Sequence, residues 1–280
     1  MRAILNFMAL SCAIRAIHDS SAAQNPTNPA FVPNYSYADL ADLALASLIT
    51  AHVKIKSAKK LPPALSPGVA VGHVRHLITA DVIGLVRGDD GLAPRVLYLI
   101  DLPSDSRGKT QKLNKTESFI FAVPGRAGEV RLVAPDAQIP WSAQTAQRIR
   151  AILNEAVRPD AAPPVKGVVS GFHSAGTLSG EGETQIFLTA AEERPVSLTI
   201  IRQPDIAPRW SVSLGEIVDD AATMPAPDTL LWYRLACFLP AAVPDTAVSE
   251  LPGSDADAVR EDYAFVMKAL GPCTRVRKKR

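Results

Sequence analysis

Apolar and polar residues alternate along much of the chain. Ile49, Ala51, Val53 and Ile55 are interleaved with Thr50, His52, Lys54 and Lys56, the period-two pattern of a strand with one buried face. His73 to Val86 repeats the pattern through Val74, Leu77, Ala80, Val82 and Ile83, with one slip where a bulge is expected. Strands over Arg95 to Leu102, Ser118 to Val123 and Glu129 to Val133 make five, separated by turn residues at Gly88 to Gly91, Ser104 to Gly108 and Pro124 to Gly128. Five consecutive strands with short connections predict a small antiparallel five-stranded barrel or sandwich, with an OB-like barrel as first choice.

Helical spacing appears on both sides of this block. Ser36 and Asp39 form a variant capping box ahead of Leu40, Leu43 and Ala44. Ser142 caps a second helix whose apolar positions Ile149, Ile152, Leu153, Ala156 and Val157 recur until Pro159. Pro159 to Pro164 then divides an N-terminal barrel-like domain, 36–158, from a C-terminal α+β domain, 164–272. The second domain is expected to open with a strand from Val165 to Val169 and a glycine-rich loop from Gly171 to Gly182. A meander follows at Thr184 to Thr189, Pro195 to Arg202 and Trp210 to Leu214. Asp228 is the expected cap of a short apolar helix through Leu231, Trp232, Leu235 and Phe238. Ser254 and Asp257 open the closing helix, which Gly271 and Pro272 stop. The fold class is therefore mostly β (α+β), an OB-like barrel followed by a second antiparallel sheet packed with helices.

Composition changes this picture little: 47% hydrophobic and 21% charged residues in 280 fit two ordinary globular domains, and 23 prolines fit short elements. The first residues change it more. Arg2, the apolar stretch Ala3 to Ile14 and the small residues Ser20 to Ala23 have the layout of a signal peptide over 1–23, cleaved after Ala23. This predicts a periplasmic protein; a lipoprotein anchored at Cys12 is the alternative. Residues 24–35 would be a tether. No later stretch is long and apolar enough for an integral membrane protein.

Charge removes one class of partner. Without Arg2, Arg15 and Asp19 the chain keeps 28 basic and 27 acidic residues, whereas nucleic-acid binding needs a concentrated basic face. The only dense basic run is Arg275, Arg277, Lys278, Lys279 and Arg280 within 273–280, expected to be a solvated, mobile tail. Loss of Cys12 leaves Cys237 and Cys273, an expected disulfide in an oxidising compartment.

Familiar chemistry fails at named residues. Gly108, Lys109 and Thr110 end like a phosphate loop, but Pro103 stands where its first glycine belongs. Ser174 has Gly176 two places after it but Phe172 two before, an incomplete nucleophile elbow, and neighbouring His173 would leave a strand on the opposite face. His73 and His76 do not share a face of a strand, and no metal or cofactor motif is present. The pairs Glu181 with Glu183 and Asp219 with Asp220 read as loop charges. Trp210, Trp232 and Tyr233 read as packed core, with an apolar pocket as the alternative.

The phrases Glu183 to Leu188 (ETQIFL), Pro195 to Ile200 (PVSLTI), Arg209 to Val218 (RWSVSLGEIV) and Leu230 to Pro240 (LLWYRLACFLP) resemble those of uncharacterised exported (periplasmic) proteins of Gram-negative bacteria. Arg95 to Val133 is similar to them as well. The resemblance implies a location and no activity. The expected function is a non-enzymatic binding or envelope accessory protein, recognising an envelope protein or a small ligand. The alternatives are an envelope hydrolase using Ser174 with His173, and a structural component of an envelope complex.

Overall fold

The alternating stretches form six strands, β1 (Ile49–Lys60), β2 (His73–Arg87), β3 (Arg95–Pro103), β4 (Glu117–Pro124), β5 (Val130–Leu132) and β6 (Gln138–Pro140). The computed structural model describes residues 35–277 apart from 89–90, 127 and 216–223. The expected signal peptide with Cys12, the tether up to residue 34, Asp219, Asp220 and Lys278 to Arg280 lie outside the described residues.

The strand order is β3-β2-β1-β4-β5, with β6 added on β4 and every ladder antiparallel. A single parallel bridge between Leu97 and Glu129 nearly closes the ring, and the Leu97 amide donates to the Gly128 carbonyl at 2.9 Å. This is the partly open five-stranded barrel of the OB plan. Its interior is filled by Val53, Ile55, Ile78, Tyr98, Ile100, Ile120 and Val130. The slip in β2 is a real irregularity: opposite β1 the register jumps past Ile83 and again past Val86, and such extra residues bend a strand toward barrel closure. Strand β6 was not expected; at three residues it is too short to show a period.

The second sheet is the meander β7 (Val165–Ala175), β8 (Gly182–Ala190), β9 (Val196–Gln203) and β10 (Ile206–Ser213). Strand β7 runs on through Gly171 to Ala175, where a loop was expected. Glycine and serine hide the alternation there, and the true turn is confined to 176–181. The inner face carries Ile186, Leu188, Val196, Leu198, Ile200, Trp210 and Val212.

Among the described residues four α-helices accompany the sheets: α1 (Tyr37–Ala46), α2 (Ala143–Ala156), α3 (Leu230–Ala236) and α4 (Gly253–Leu270). Helix α1 is apolar nearly all round and accordingly buried, with Ala38, Leu40, Ala41 and Ala44 fully enclosed. One buried cluster joins α1, α2, Phe119 and Phe121 on β4, the inner face of the second sheet, α3 and α4. The core therefore does not part at 159–164; the barrel interior forms a second cluster of its own.

Two helix starts differ from expectation. Asp228 adopts a left-handed conformation (φ 59°) and Thr229 caps α3, accepting from the Trp232 amide. Helix α4 begins beyond Pro252 without a side-chain cap; the Pro252 carbonyl already accepts from the Asp255 and Ala256 amides, so Ser254 falls inside the helix. The box at α1 is complete, because Ser36 accepts from the Asp39 amide and Asp39 accepts from the Ser36 amide.

The stretch expected to be a mobile tail is anchored as far as residue 277. Cys273 is bonded to Cys237, with Cα atoms 5.1 Å apart. Beyond it Arg275 donates to both oxygens of Asp42, at 2.7 and 3.1 Å. The Val276 and Arg277 amides donate to Asp39, and the Arg277 guanidinium pairs with Asp136. The carboxylates that draw it in lie far back in the sequence, where a local reading of the basic run does not see them.

All five tyrosines, Tyr35, Tyr37, Tyr98, Tyr233 and Tyr263, have phenol pKa values pushed up, with burial as the first cause. A phenol in an unfolded chain ionises at about pH 10. Because folding favours the neutral form, this stabilisation is fully present below about pH 10 and is lost as pH rises beyond it. Phenolate absorbance is expected to stay flat through that pH and then rise together with loss of the circular dichroism signal. Phenolate formation at pH 10 in a still-folded protein would contradict it.

Candidate functional site

The barrel wall is incomplete between β3 and β5, and a cleft of about 730 Å³ opens there. The strands touch at the Leu97–Glu129 bridge and share no further ladder pair. The turn between β4 and β5 holds that bridge in place. In it the Gly125 amide donates to the Glu129 carbonyl, and a Cβ on residue 125 would lie 2.9 Å from that oxygen. Glycine is therefore what allows so close an approach.

The cleft has an apolar floor and a charged rim. Leu77, Leu97 and Leu99 point outward from β2 and β3 into it, and Leu99 stays 45% exposed. Val133, Ala134 and Pro135 form the opposite wall. At one end Arg75 and Asp101, a cross-strand pair, make a two-pronged ion pair at 2.7 and 2.8 Å. This bond is the first cause of a raised Arg75 pKa and fixes the guanidinium as a cation. Arg126, Glu129 and Arg131 line the rim, and neither rim arginine has an ion pair among the described residues.

Sequence reasoning missed this cleft, although a signal for it was there. A barrel strand needs apolar side chains on one face only, yet Val96 to Ile100 is apolar at five successive positions, so one face of β3 had to carry leucines outward.

The hydrolase candidates lie elsewhere. His173 and Ser174 are successive residues of β7, so their side chains leave on opposite faces. Ser174 is exposed and sits opposite Glu183 on β8. His173 faces α4, with Nδ1 2.8 Å from the Thr184 hydroxyl, which donates to buried Asp262 at 2.5 Å. Arg202 donates to the other Asp262 oxygen, also at 2.5 Å. This network ties α4 to the second sheet, and the hydroxyl it brings to His173 is that of fully buried Thr184, not that of Ser174.

The remaining sequence candidates also have places. Gly108 to Thr110 fold back on Asp105, whose carboxylate accepts from the Arg107 and Lys109 amides. His73 bonds the Val71 carbonyl, and His76 lies between the Val74 carbonyl and Thr110. Among the described residues no three His, Cys, Asp or Glu side chains are grouped to hold a metal ion. Trp210, Trp232 and Tyr233 are buried in the core, and the Trp232 indole donates to the Leu270 carbonyl. Trp141 lies on the surface, stacked on His52 at 4.9 Å, and His52 in turn meets Glu117 at 3.0 Å. A smaller polar recess of about 570 Å³ opens at the start of α1 between Ser36, Arg148, Asp228 and Thr274. No helix among the described residues is long and apolar enough to cross a membrane.

No protein family matches the chain, and no curated protein matches it either.

Proposed function

We propose that this protein is exported to the cell envelope and acts there by binding rather than by catalysis, taking its ligand in the seam of the barrel. The observation that carries the reading is the cleft itself: solvent-facing leucines framed by Arg126 and Arg131, neither of which has a carboxylate partner among the described residues. Such a surface favours an occupant with an apolar body and negative charge. Export is supported by the signal-like first 23 residues and by the Cys237–Cys273 bond, since disulfides persist in oxidising compartments.

Anilinonaphthalene sulfonate, an apolar anionic dye, tests the reading directly. The folded protein should enhance its fluorescence in a saturable way. Leu99→Asp should weaken dye binding at least tenfold by placing a carboxylate on the floor, and Arg131→Glu should weaken it severalfold. Both positions are solvent-facing, so the variants should keep the native circular dichroism. Dye affinity that neither substitution changes would sink the seam as the binding site.

A further inference from the structure

We infer that the ligand of the seam is an extended segment of polypeptide, which adds a strand along the free edge of β3. The inference rests on the seam being the binding site and names what fills it.

Backbone direction carries it. In an antiparallel ladder alternate residues turn both N–H and C=O toward the same neighbour. Just before β3 the Pro94 carbonyl accepts from the Val82 amide of β2, while Leu97, three residues on, turns the other way and donates to Gly128. Two and four residues further on, Leu99 and Asp101 share the orientation of Leu97 and find no strand beside them among the described residues. Across the gap Glu129 and Val133 face β4, the first accepting from Gly125 and the second donating to Phe121. Val130 and Leu132 therefore turn their backbone groups toward β3, Val130 beside Leu97 at the bridge and Leu132 at the open seam. Both walls thus present donors and acceptors at the two-residue repeat of a sheet, about 6.6 Å.

That arrangement selects among occupants with an apolar body. An alkyl chain or a flat dye would cover these amides and carbonyls without satisfying them, and each buried unpaired group costs about 1–3 kcal/mol. An extended peptide returns a donor for each acceptor at the same spacing, which is how strand addition generates affinity. Pro103 and Pro135 bound the open stretch. Prolines blunt a free edge against indefinite pairing, and they leave room for a strand of about four or five residues. Leu77, Leu97 and Leu99 would receive the apolar side chains of that strand. Arg126 and Arg131, at the rim, favour acidic residues at its ends.

The test uses fluorescein-labelled Glu-Leu-Thr-Val-Thr-Leu-Glu, the same peptide N-methylated at every internal residue, and a version with Lys for both Glu. Anisotropy reads affinity, and hydrogen exchange of the Leu99 and Asp101 amides reads pairing. The parent peptide should bind, displace the dye and protect both amides. N-methylation should weaken binding more than tenfold, and the lysine version should bind severalfold more weakly. The inference is overturned if the methylated peptide binds as well as the parent, if the two amides exchange at an unchanged rate in the complex, or if the parent fails to bind while the dye does. In each of these cases the seam still stands as a binding site, whereas a dye indifferent to Leu99→Asp removes the site itself.

Discussion

Replacing Asp262 by Ala should destabilise the fold by about 3 kcal/mol, at the lower end of the 3–5 kcal/mol typical when one partner of a buried ion pair is removed. The carboxylate is 1% exposed and accepts from the Thr184 hydroxyl and the Arg202 guanidinium. Truncation leaves the fully buried Thr184 hydroxyl with His173 alone and removes the buried carboxylate from the Arg202 guanidinium. The lower figure follows from the second partner of Arg202, Glu261 at 3.2 Å, and from the 28% exposure of the arginine side chain. For a chain of this size the loss corresponds to a fall in Tm of about 6–12 °C. Urea unfolding of the variant beside the parent measures it. A loss under about 1 kcal/mol would mean that the network does not hold α4 on the sheet.

Removing the Cys237–Cys273 bond, by substituting both residues with Ser, should cost about 4 kcal/mol. The bond closes a separation of 36 residues, and the chain-entropy treatment gives that magnitude for such a loop. Structure around the loop argues for the full effect: α4 lies inside it and α3 ends just before Cys237, and their packing limits how far the folded state can relax to recover the loss. The segment that runs past Cys273 to Asp42, Asp39 and Asp136 would lose its nearest anchor at the same time. Thermal unfolding of the parent with and without reductant, compared with the double variant, isolates the bond. A shift in the parent alone is expected, and equal behaviour of all samples would contradict the prediction.

How far the amino-acid sequence disclosed all this depended on distance along the chain. Strands β1 and β2 were legible because each carries its own period of two, and β3 to β5 as short apolar runs between turn residues. The short caps were legible only to within a residue, since Asp228 and Thr229 are both competent and the left-handed turn at Asp228 decides between them. The far end of β7 was not legible. Gly171 has no side chain to show a face, and it is required there because a Cβ would approach Val259 of α4 to 2.5 Å. The disulfide was readable from counting cysteines, whereas the docking of Arg275 and Arg277 depends on carboxylates more than 140 residues away. The seam was hidden for a related reason. It is a place where two strands separate, and no local pattern encodes a missing pair.

Asp39 completes the start of α1 and also receives the amides of residues 276 and 277, a separation of 237 and 238 positions. The helix nearest the start of the described chain is thus secured by backbone that is synthesised much later. Such a chain cannot finish folding in the order in which it is made, and contacts this distant slow the search for the native state.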